Sequence, residues 1–237
     1  RGGWKYNDVA ILYRTNAQSR ALEEKLMIHN IPYKIYGGQN FYQRKEIKDI
    51  LAYLKTIDNG LDGQAVKRII NVPKRGIGNT TIDRLQEYAD FNDITFWEAL
   101  VNAKDIDTIK NAALSKLEPF VDLIGRLRAK EEFMSLKELA EAVIEDTGYI
   151  ESLSQNETVE EVEARRENLD EFINKVVSYE EGCKEAGEEP TLSGLLEEVA
   201  LIADIDNLDE SEPHVMLMTL HSAKGLEFPI VYMTGME

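Results

Sequence analysis

Short apolar runs lie near both ends of the chain and have the pattern expected of β-strands. The runs at 8–14 and 33–38 flank a stretch at 17–30 whose apolar residues recur on one helical face. A strand, a helix and a strand within about thirty residues are typical of a βαβ unit, which builds parallel sheets. Further along, the runs at 215–220 and 229–235 are apolar without interruption. Such runs predict strands that are buried on both faces of a sheet.

The residues between these runs have helical spacing instead. Over about 170 residues, apolar positions recur at intervals of three and four. The predicted helices cover 42–58, 63–71, 80–91, 95–103, 114–130, 135–146, 157–181 and 191–203. The pattern predicts a helical subdomain inserted into an α/β domain, because the two ends of an inserted domain commonly lie close together. Two separate domains are the alternative.

The charge is segregated along the chain. The net charge of −17 argues against a nucleic-acid partner, since cations drive phosphate binding. Residues 1–45 nevertheless carry a net +5, and residues 147–212 carry a net −16. The net charge of the whole chain therefore does not identify its binding partners, and the charge of each segment has to be considered separately. The acidic stretch is either a protein-docking face or a solubilising surface that repels DNA. If it repels DNA, reversing the charge of Glu160, Glu161 and Glu163 should raise the non-specific affinity for DNA.

Composition narrows the class of protein. The sequence holds one cysteine, Cys183, and no apolar run of about 18 residues, so we expect a cytoplasmic protein without a membrane span. The start of the chain has no apolar segment of the kind found in secretory signals. The three histidines are far apart and form no HExxH pair, so no metal site is expected.

The stretch NVPKRGIGNTTIDRL at 71–85 is the first candidate for binding chemistry. Gly76 and Gly78 predict a tight turn anchored by Ile77, with Asn79 or Thr80 capping the next helix. Exposed amides at a helix N-terminus form an anion site that suits a phosphate. The cations at 67–84 are Lys67, Arg68, Lys74, Arg75 and Arg84, against Asp83 alone. The alternative is a helix–helix turn that needs glycine and happens to be basic.

Polar residues also follow two of the predicted strands. Arg14, Thr15, Asn16 and Ser19 come after the first strand, where open α/β sheets bind ligands. Arg14 would suit a bidentate phosphate contact, although helix capping and a surface charge explain these residues equally well.

The second such stretch is MTLHSAKGLEF at 218–228. Thr219 and His221 end a strand, and Lys224 and Gly225 open a turn. The stretch contains neither a Walker A loop nor a nucleophile elbow, and a lone histidine beside an apolar strand is more often structural than catalytic.

Together these stretches resemble the UvrD/PcrA/Rep family of superfamily 1A DNA helicases, and within it the PcrA branch of Gram-positive bacteria. AILYRTNAQSRALEEKL resembles motif IV, FYQRKEIKDILAYLK resembles motif IVa, and MTLHSAKGLEFPIVYMTGME resembles motif V. VPKRGIGNTTIDRL is similar to the duplex-contacting helix–turn–helix of the accessory 2B subdomain. The motifs occur in the family's order.

The resemblance implies part of a 3′→5′ DNA-unwinding motor that uses ATP and Mg²⁺. It implies that 1–42 and 213–237 form parts of a RecA-like 2A lobe and that 43–212 form the inserted, mostly α-helical 2B subdomain. Single-stranded DNA would contact Arg14, Asn16, Thr219 and His221. The ATP ribose would contact Glu227, with Gly225 shaping its loop. Duplex phosphates would face Lys74, Arg75, Gly76, Ile77, Gly78 and Thr80.

Other parts of the family's pattern do not occur in this sequence. It has no Walker A loop, no Walker B Asp-Glu pair and no arginine-bearing motif VI, all of which phosphoryl transfer needs together. We therefore expect a fragment that contains no catalytic residues, hydrolyses no ATP and binds no cofactor by itself. We expect it to work with the 1A, 1B and remaining 2A parts of the same helicase, a bacterial, nucleoid-associated protein. The alternative is a regulatory, protein-interacting 2B module that does not bind DNA alone, with connections near 40–46 and 208–214 acting as a hinge.

Overall fold

The computed structural model describes residues 3–205 and 213–235. The chain divides into two compact units. The first contains residues 1–47, 163–172 and 197–237, and the second contains residues 48–162 and 173–196. The predicted connection near 208–214 lies mostly outside the described residues.

The first unit is built on a parallel sheet of four strands. Their bounds are Val9–Tyr13 (β1), Tyr33–Ile35 (β2), Val215–Thr219 (β3) and Ile230–Met233 (β4). The strand order is β2-β3-β1-β4, and every neighbouring pair is parallel. The predicted α/β lobe with strands from both chain ends is therefore confirmed. The β1–α1–β2 segment does not place its two strands side by side, because β3 lies between them.

The sheet has a buried core and an exposed edge strand, β4. The buried core contains Tyr13, Ile35, Val215 and Leu217, with partly buried apolar side chains packed against it. The prediction that β4 is buried on both faces is wrong for this chain, because its residues 231–233 are exposed. Among the described residues, β4 pairs with β1 alone and so forms an edge of the sheet. An apolar run cannot show whether its strand lies inside a sheet or at an edge.

Ten α-helices occur in the described residues, besides four short 3₁₀ helices. Their bounds are Ser19–Ile28 (α1), Lys45–Asp58 (α2), Gly63–Ile69 (α3), Asn79–Asn92 (α4), Phe96–Val101 (α5), Asn111–Glu131 (α6), Leu136–Asp146 (α7), Tyr149–Leu153 (α8), Val159–Ala186 (α9) and Leu192–Ile205 (α10). Only the short α8 lacked a predicted counterpart. None of the helices is both long enough and apolar enough to cross a bilayer.

Local capping chemistry sets where several helices begin. Thr95, Ser135 and Thr158 are the N-cap residues of α5, α7 and α9. Each side chain accepts a hydrogen bond from the amide three residues ahead, and the glutamate at that position accepts one from the amide of the cap residue. These reciprocal capping boxes satisfy backbone donors that the first helical turn leaves without partners. At the other end of α9, Gly187 has a φ of +73°, which suits the left-handed turn after a helix.

Candidate nucleic-acid interface

A compact turn joins α3 to α4 in the second unit, and Asn71 holds it together. The Asn71 Oδ1 accepts hydrogen bonds from the amides of Arg75 (2.8 Å) and Ile77 (3.3 Å), and its Nδ2 donates to the Ile77 carbonyl (3.2 Å). The Val72–Pro73 peptide bond is cis. Gly76 has a φ of +72°, which favours glycine, and Ile77 is buried as predicted.

The Arg75 side chain points inward and supports the turn. Its Nη1 donates to the carbonyls of Ile69 (2.9 Å), Ile70 (3.3 Å) and Pro73 (3.3 Å). Its Nη2 donates to the Tyr53 hydroxyl at 2.7 Å. That hydroxyl in turn donates to the Val72 carbonyl at 2.6 Å. The guanidinium also lies 4.9 Å from the centre of the Phe120 ring, so Arg75 ties the turn to the core.

The helix after the turn begins without a side-chain cap. Gly78, not Asn79 or Thr80, occupies the N-cap position, and Asn79 is the first helical residue. The expected cap is thus wrong, because the helix starts one residue earlier than the pattern indicated. The Gly78 carbonyl accepts from the amides of Thr81 (2.9 Å) and Ile82 (3.3 Å). In the described part of the chain, the amides of Gly78, Asn79 and Thr80 have no hydrogen-bond partner.

Gly78 does not need to be glycine for steric reasons. Its φ is −82°, which any residue adopts, and a Cβ added there meets nothing within 4 Å. The three residues 78–80 are all exposed. The N-terminus of α4 is therefore an open surface at which an anion can approach backbone amides.

Most of the cations at 67–84 already interact with other groups of the protein. Lys67 lies 5.2 Å from the centre of the Phe96 ring, Arg68 pairs with Asp49 at 2.7 Å, and Arg84 donates to the Thr108 carbonyl at 2.7 Å. Lys74 is exposed, and among residues 3–205 and 213–235 it has no hydrogen bond or ion pair. The five cations and one anion at 67–84 give a net charge of +4, and this sum overstates the positive charge that is free to meet a phosphate.

The structure adds one cation that the sequence analysis missed. Lys116, on α6, donates from Nζ to the Gly76 carbonyl at 2.8 Å and is exposed. An ammonium on this carbonyl offsets its partial negative charge, which would otherwise repel an anion. No spacing rule links Lys116 to a turn forty residues away.

The second candidate surface is the carboxyl edge of the sheet in the first unit. Tyr13 and Thr219 end neighbouring strands in register, and the Leu220 amide donates to the Tyr13 carbonyl at 2.9 Å. Arg14 and Asn16 follow at the same edge and are exposed. The two predicted single-strand segments are thus brought together, as parallel pairing requires.

Side-chain contacts complete this edge. The hydroxyls of Thr219 and Ser222 are 2.9 Å apart, and the Ser222 amide donates to the Thr219 Oγ1 at 3.1 Å. A Cβ at Gly37 would lie 3.4 Å from the Ser222 Oγ, and one at Gly38 would lie 3.9 Å from the Asn16 Oδ1. The loop after β2 therefore joins this edge, and His221 is exposed beside it.

The predicted nucleotide residues lie in the loop between β3 and β4. Gly225 has a φ of +87°, and both Gly225 and Glu227 are exposed. Their contact with a ribose stays a prediction. No group of three or more His, Cys, Asp or Glu residues in that part of the chain is arranged to hold a metal ion.

The acidic residues proposed for charge reversal lie on α9. Glu160, Glu161 and Glu163 are exposed. Glu161 has a structural use, because it accepts from the Thr158 amide at 2.8 Å. Reversing Glu161 would therefore disturb the helix start as well as the charge.

Comparisons with known proteins agree with the motif pattern. The profile of the UvrD-like helicase C-terminal domain family matches residues 2–237. The chain is 48% identical over 237 residues to the ATP-dependent DNA helicase PcrA of Staphylococcus aureus strain Mu50, covering 100% of this chain and 32% of that protein. A protein of the same name from Staphylococcus epidermidis strain RP62A is 46% identical, with the same coverage. The chain therefore spans about a third of the length of these relatives.

Proposed function

The chain belongs to the UvrD-like helicase C-terminal domain family, and from that premise we propose that it is part of an ATP-dependent helicase that unwinds DNA in the 3′→5′ direction. In this proposal 1–42 and 213–237 belong to the RecA-like 2A lobe, and 43–212 form the 2B subdomain. The partners are duplex and single-stranded DNA and the remaining lobes of the same helicase. We place that helicase in the bacterial cytoplasm, at the nucleoid, in DNA repair or replication.

The turn between α3 and α4 is proposed as the duplex contact. The single observation that carries this is the open N-terminus of α4, where the amides of Gly78, Asn79 and Thr80 are exposed without partners among the described residues. Lys74 and Lys116 add positive charge near it. Contacts of this kind hold phosphates and carry no base code, so the binding would be independent of sequence.

Not every residue first assigned to the duplex has the same role in this proposal. Gly76 supplies the left-handed backbone, Ile77 anchors the turn in the core, and Arg75 holds it from inside. These three position the contact, while Lys74, Gly78 and Thr80 face the DNA.

The carboxyl edge of the sheet is proposed as part of the single-strand track. Arg14 and Asn16 lie beside Thr219 and His221 at this edge, and all four side chains are at least partly exposed. A guanidinium, an amide, a hydroxyl and an imidazole can each donate to phosphate or sugar oxygens.

ATP and Mg²⁺ are proposed as cofactors of the whole helicase. This sequence would contribute Gly225 and Glu227 at the ribose, and the phosphates and the metal ion would be held by residues outside it. We expect the 237-residue chain to hydrolyse no ATP in a coupled assay, with or without single-stranded DNA. DNA-stimulated turnover by the purified chain, absent from a mock preparation, would contradict this expectation.

Gly78 offers a sharp test of the duplex contact, because its φ and its surroundings tolerate a side chain. In the intact helicase, Gly78→Asp should lower duplex unwinding about tenfold or more while single-strand-stimulated ATP hydrolysis continues, because a carboxylate at the N-cap would occupy the amides and repel phosphate. Gly78→Ser is the matched control: it also caps the helix but stays neutral, so it should unwind better than the aspartate variant. Equal unwinding by Gly78→Asp and the unchanged protein would exclude this turn as a duplex contact.

A regulatory module that does not bind DNA alone is the second candidate. It is favoured by one observation, which is that Lys67, Arg68, Arg75 and Arg84 are all engaged within the protein. Few cations then remain for unaided DNA binding. Direct binding by the isolated chain separates the two candidates.

A further inference from the structure

The segment FYQRKE at 41–46 carries polar side chains that the proposed DNA contacts leave without a role. Tyr42, Arg44 and Glu46 are 3%, 7% and 2% exposed. Charged side chains are almost never this deeply buried unless they are paired. Their partners therefore show what the segment does.

Arg44 joins two parts of the first unit through separate donors. Its Nη2 donates to the Ser19 Oγ at 2.7 Å, and its Nη1 donates to the Asn168 Oδ1 at 2.7 Å. Its Nε is 3.4 Å from the Gln39 carbonyl. The guanidinium also lies 5.1 Å from the centre of the Phe41 ring. Arg44 thereby fixes the start of α1 against α9.

Glu46 closes the network on the α9 side. Its carboxylate accepts from the Asn168 Nδ2 at 2.5 Å and from the Arg165 Nη1 at 2.6 Å. Asn168 thus accepts from Arg44 and donates to Glu46 at once. Such a bridging amide works in one orientation, so the network specifies a single arrangement of its members.

The same parts of the unit are joined a second time nearby. The Arg20 Nε donates to Glu171 of α9 at 2.7 Å, and its Nη1 donates to Glu24 at 3.0 Å. The Tyr42 hydroxyl donates to the same Glu24 at 2.6 Å. Two sets of charged hydrogen bonds therefore fix α1 relative to 41–46 and α9.

The network reaches the loop that carries the proposed single-strand residues. Ser19 donates to the buried carboxylate of Glu23 while it accepts from Arg44. The residue before it, Gln18, accepts through Oε1 from the amides of Arg14 (2.8 Å) and Thr15 (3.2 Å). The path from Arg44 to the backbone of Arg14 is thus continuous.

We propose that Arg44 is a positioning residue, which holds the 14–19 loop at the sheet edge by anchoring Ser19 to α9 through Asn168. The part of this inference that concerns DNA rests on the proposed single-strand function of Arg14 and Asn16. The anchoring itself does not depend on that function. Lysine cannot replace Arg44, because its single ammonium cannot reach Ser19 and Asn168 with the geometry of a guanidinium fork.

Hydrogen exchange of the 237-residue chain tests the anchoring without DNA. In Arg44→Lys and in the milder Ser19→Ala, the amides of Arg14 and Thr15 should exchange about tenfold faster, while the amide of Leu217 in β3 keeps its rate. Arg166→Met is the matched control, because Arg166 lies on α9 beside Arg165 in an exposed pair with Glu163. It should change neither rate. Unchanged exchange at Arg14 and Thr15, or an equal increase at Leu217, would overturn the proposal.

Binding of a single strand then tests the link to function. Arg44→Lys should weaken single-strand binding about tenfold and leave duplex binding unchanged, since the turn at 71–78 lies in the other unit. An unchanged single-strand affinity alongside faster exchange would overturn the positioning role. If the unsubstituted chain binds no single strand, the proposed function of the sheet edge fails, whereas the exchange result still decides whether Arg44 anchors the loop.

Discussion

Lys74 and Arg75 are adjacent cations in different environments. Lys74 is exposed and has no partner within the described residues, whereas the Arg75 guanidinium donates to three carbonyls and a hydroxyl. Burial raises the pKa of that hydroxyl, on Tyr53, although the nearby Arg75 charge acts in the opposite direction. Tyr53 therefore stays protonated and keeps donating to Val72. The two cations should consequently respond in opposite ways to the same substitution.

Replacing each with methionine tests this difference. Arg75→Met should lower the free energy of unfolding by about 2 kcal/mol, because several hydrogen bonds from a charged donor are lost. Lys74→Met should change stability by less than about 0.5 kcal/mol, as surface substitutions usually do. It should instead reduce the slope of log affinity for duplex against log salt by about 0.9, the value for one phosphate contact. Urea titration measures the stability of each variant, and duplex binding at several salt concentrations measures the slope. A large loss of stability in Lys74→Met, or a changed salt slope with full stability in Arg75→Met, would contradict this account.

At the residue scale, the sequence predicted which residues lie in the turn and at the strand ends, but not the direction in which each side chain points. The burial of Ile77 followed from an apolar residue between two turn glycines, and the strand-end placement of Arg14 and Thr219 followed from parallel pairing. The inward course of Arg75 did not follow, because spacing does not say which way a side chain turns. Lys116 was missed since only the packed helices bring it to Gly76.

At the scale of elements, helix starts are set by short polar contacts at the surface. Ser135 caps α7, and Glu138 reaches back to accept from the Ser135 amide at 2.8 Å. These bonds from the Ser135 amide and hydroxyl lower the pKa of Glu138 below its ordinary value of 4.5. A carboxyl whose pKa is lowered on folding stabilises the fold above its unfolded pKa and loses that effect as the pH falls.

Removing this cap should alter both stability and its pH dependence. Ser135→Ala should lower the free energy of unfolding at pH 7, because the first turn of α7 loses an acceptor. It should also return the pKa of Glu138 towards 4.5, so that stability declines less steeply as the pH falls from about 5 to 3. Urea titrations across this range and an NMR titration of Glu138 measure the two effects. A pKa of Glu138 equal in both proteins would show that the Ser135 hydroxyl does not contribute to lowering it, because the alanine variant keeps the hydrogen bond from the backbone amide.

The sequence predicted most of the helices and strands, but not the order of the strands in the sheet or their exposure. Helical periodicity located nine of the ten described α-helices, because long amphipathic stretches are the strongest local signal. The short α8 has too few residues to show a period. The exposure of β4 and the placement of β3 between β1 and β2 depend on strand order, which the sequence of one chain does not contain.

At the scale of the whole molecule, the charge distribution sets the terms for DNA binding. The chain carries a net −17, yet its proposed duplex contact combines free amides with Lys74 and Lys116. Few free cations on an acidic chain predict weak duplex binding with a shallow salt dependence, about 0.9 in log–log slope for each phosphate contacted. The resemblance to the family came from four stretches in the family's order, whereas the strength of this contact depends on which cations are free, and only the packed structure shows that.

The central claim is that the turn between α3 and α4 binds duplex phosphates by itself. We would titrate the 237-residue chain by fluorescence anisotropy with blunt duplex, tailed duplex and single strand, each at low and moderate salt. We predict binding that prefers the duplexes, weakens with salt and is lost in Gly78→Asp but kept in Gly78→Ser. Absence of duplex binding at low salt, or binding that Gly78→Asp leaves unchanged, would contradict the claim and favour the regulatory module.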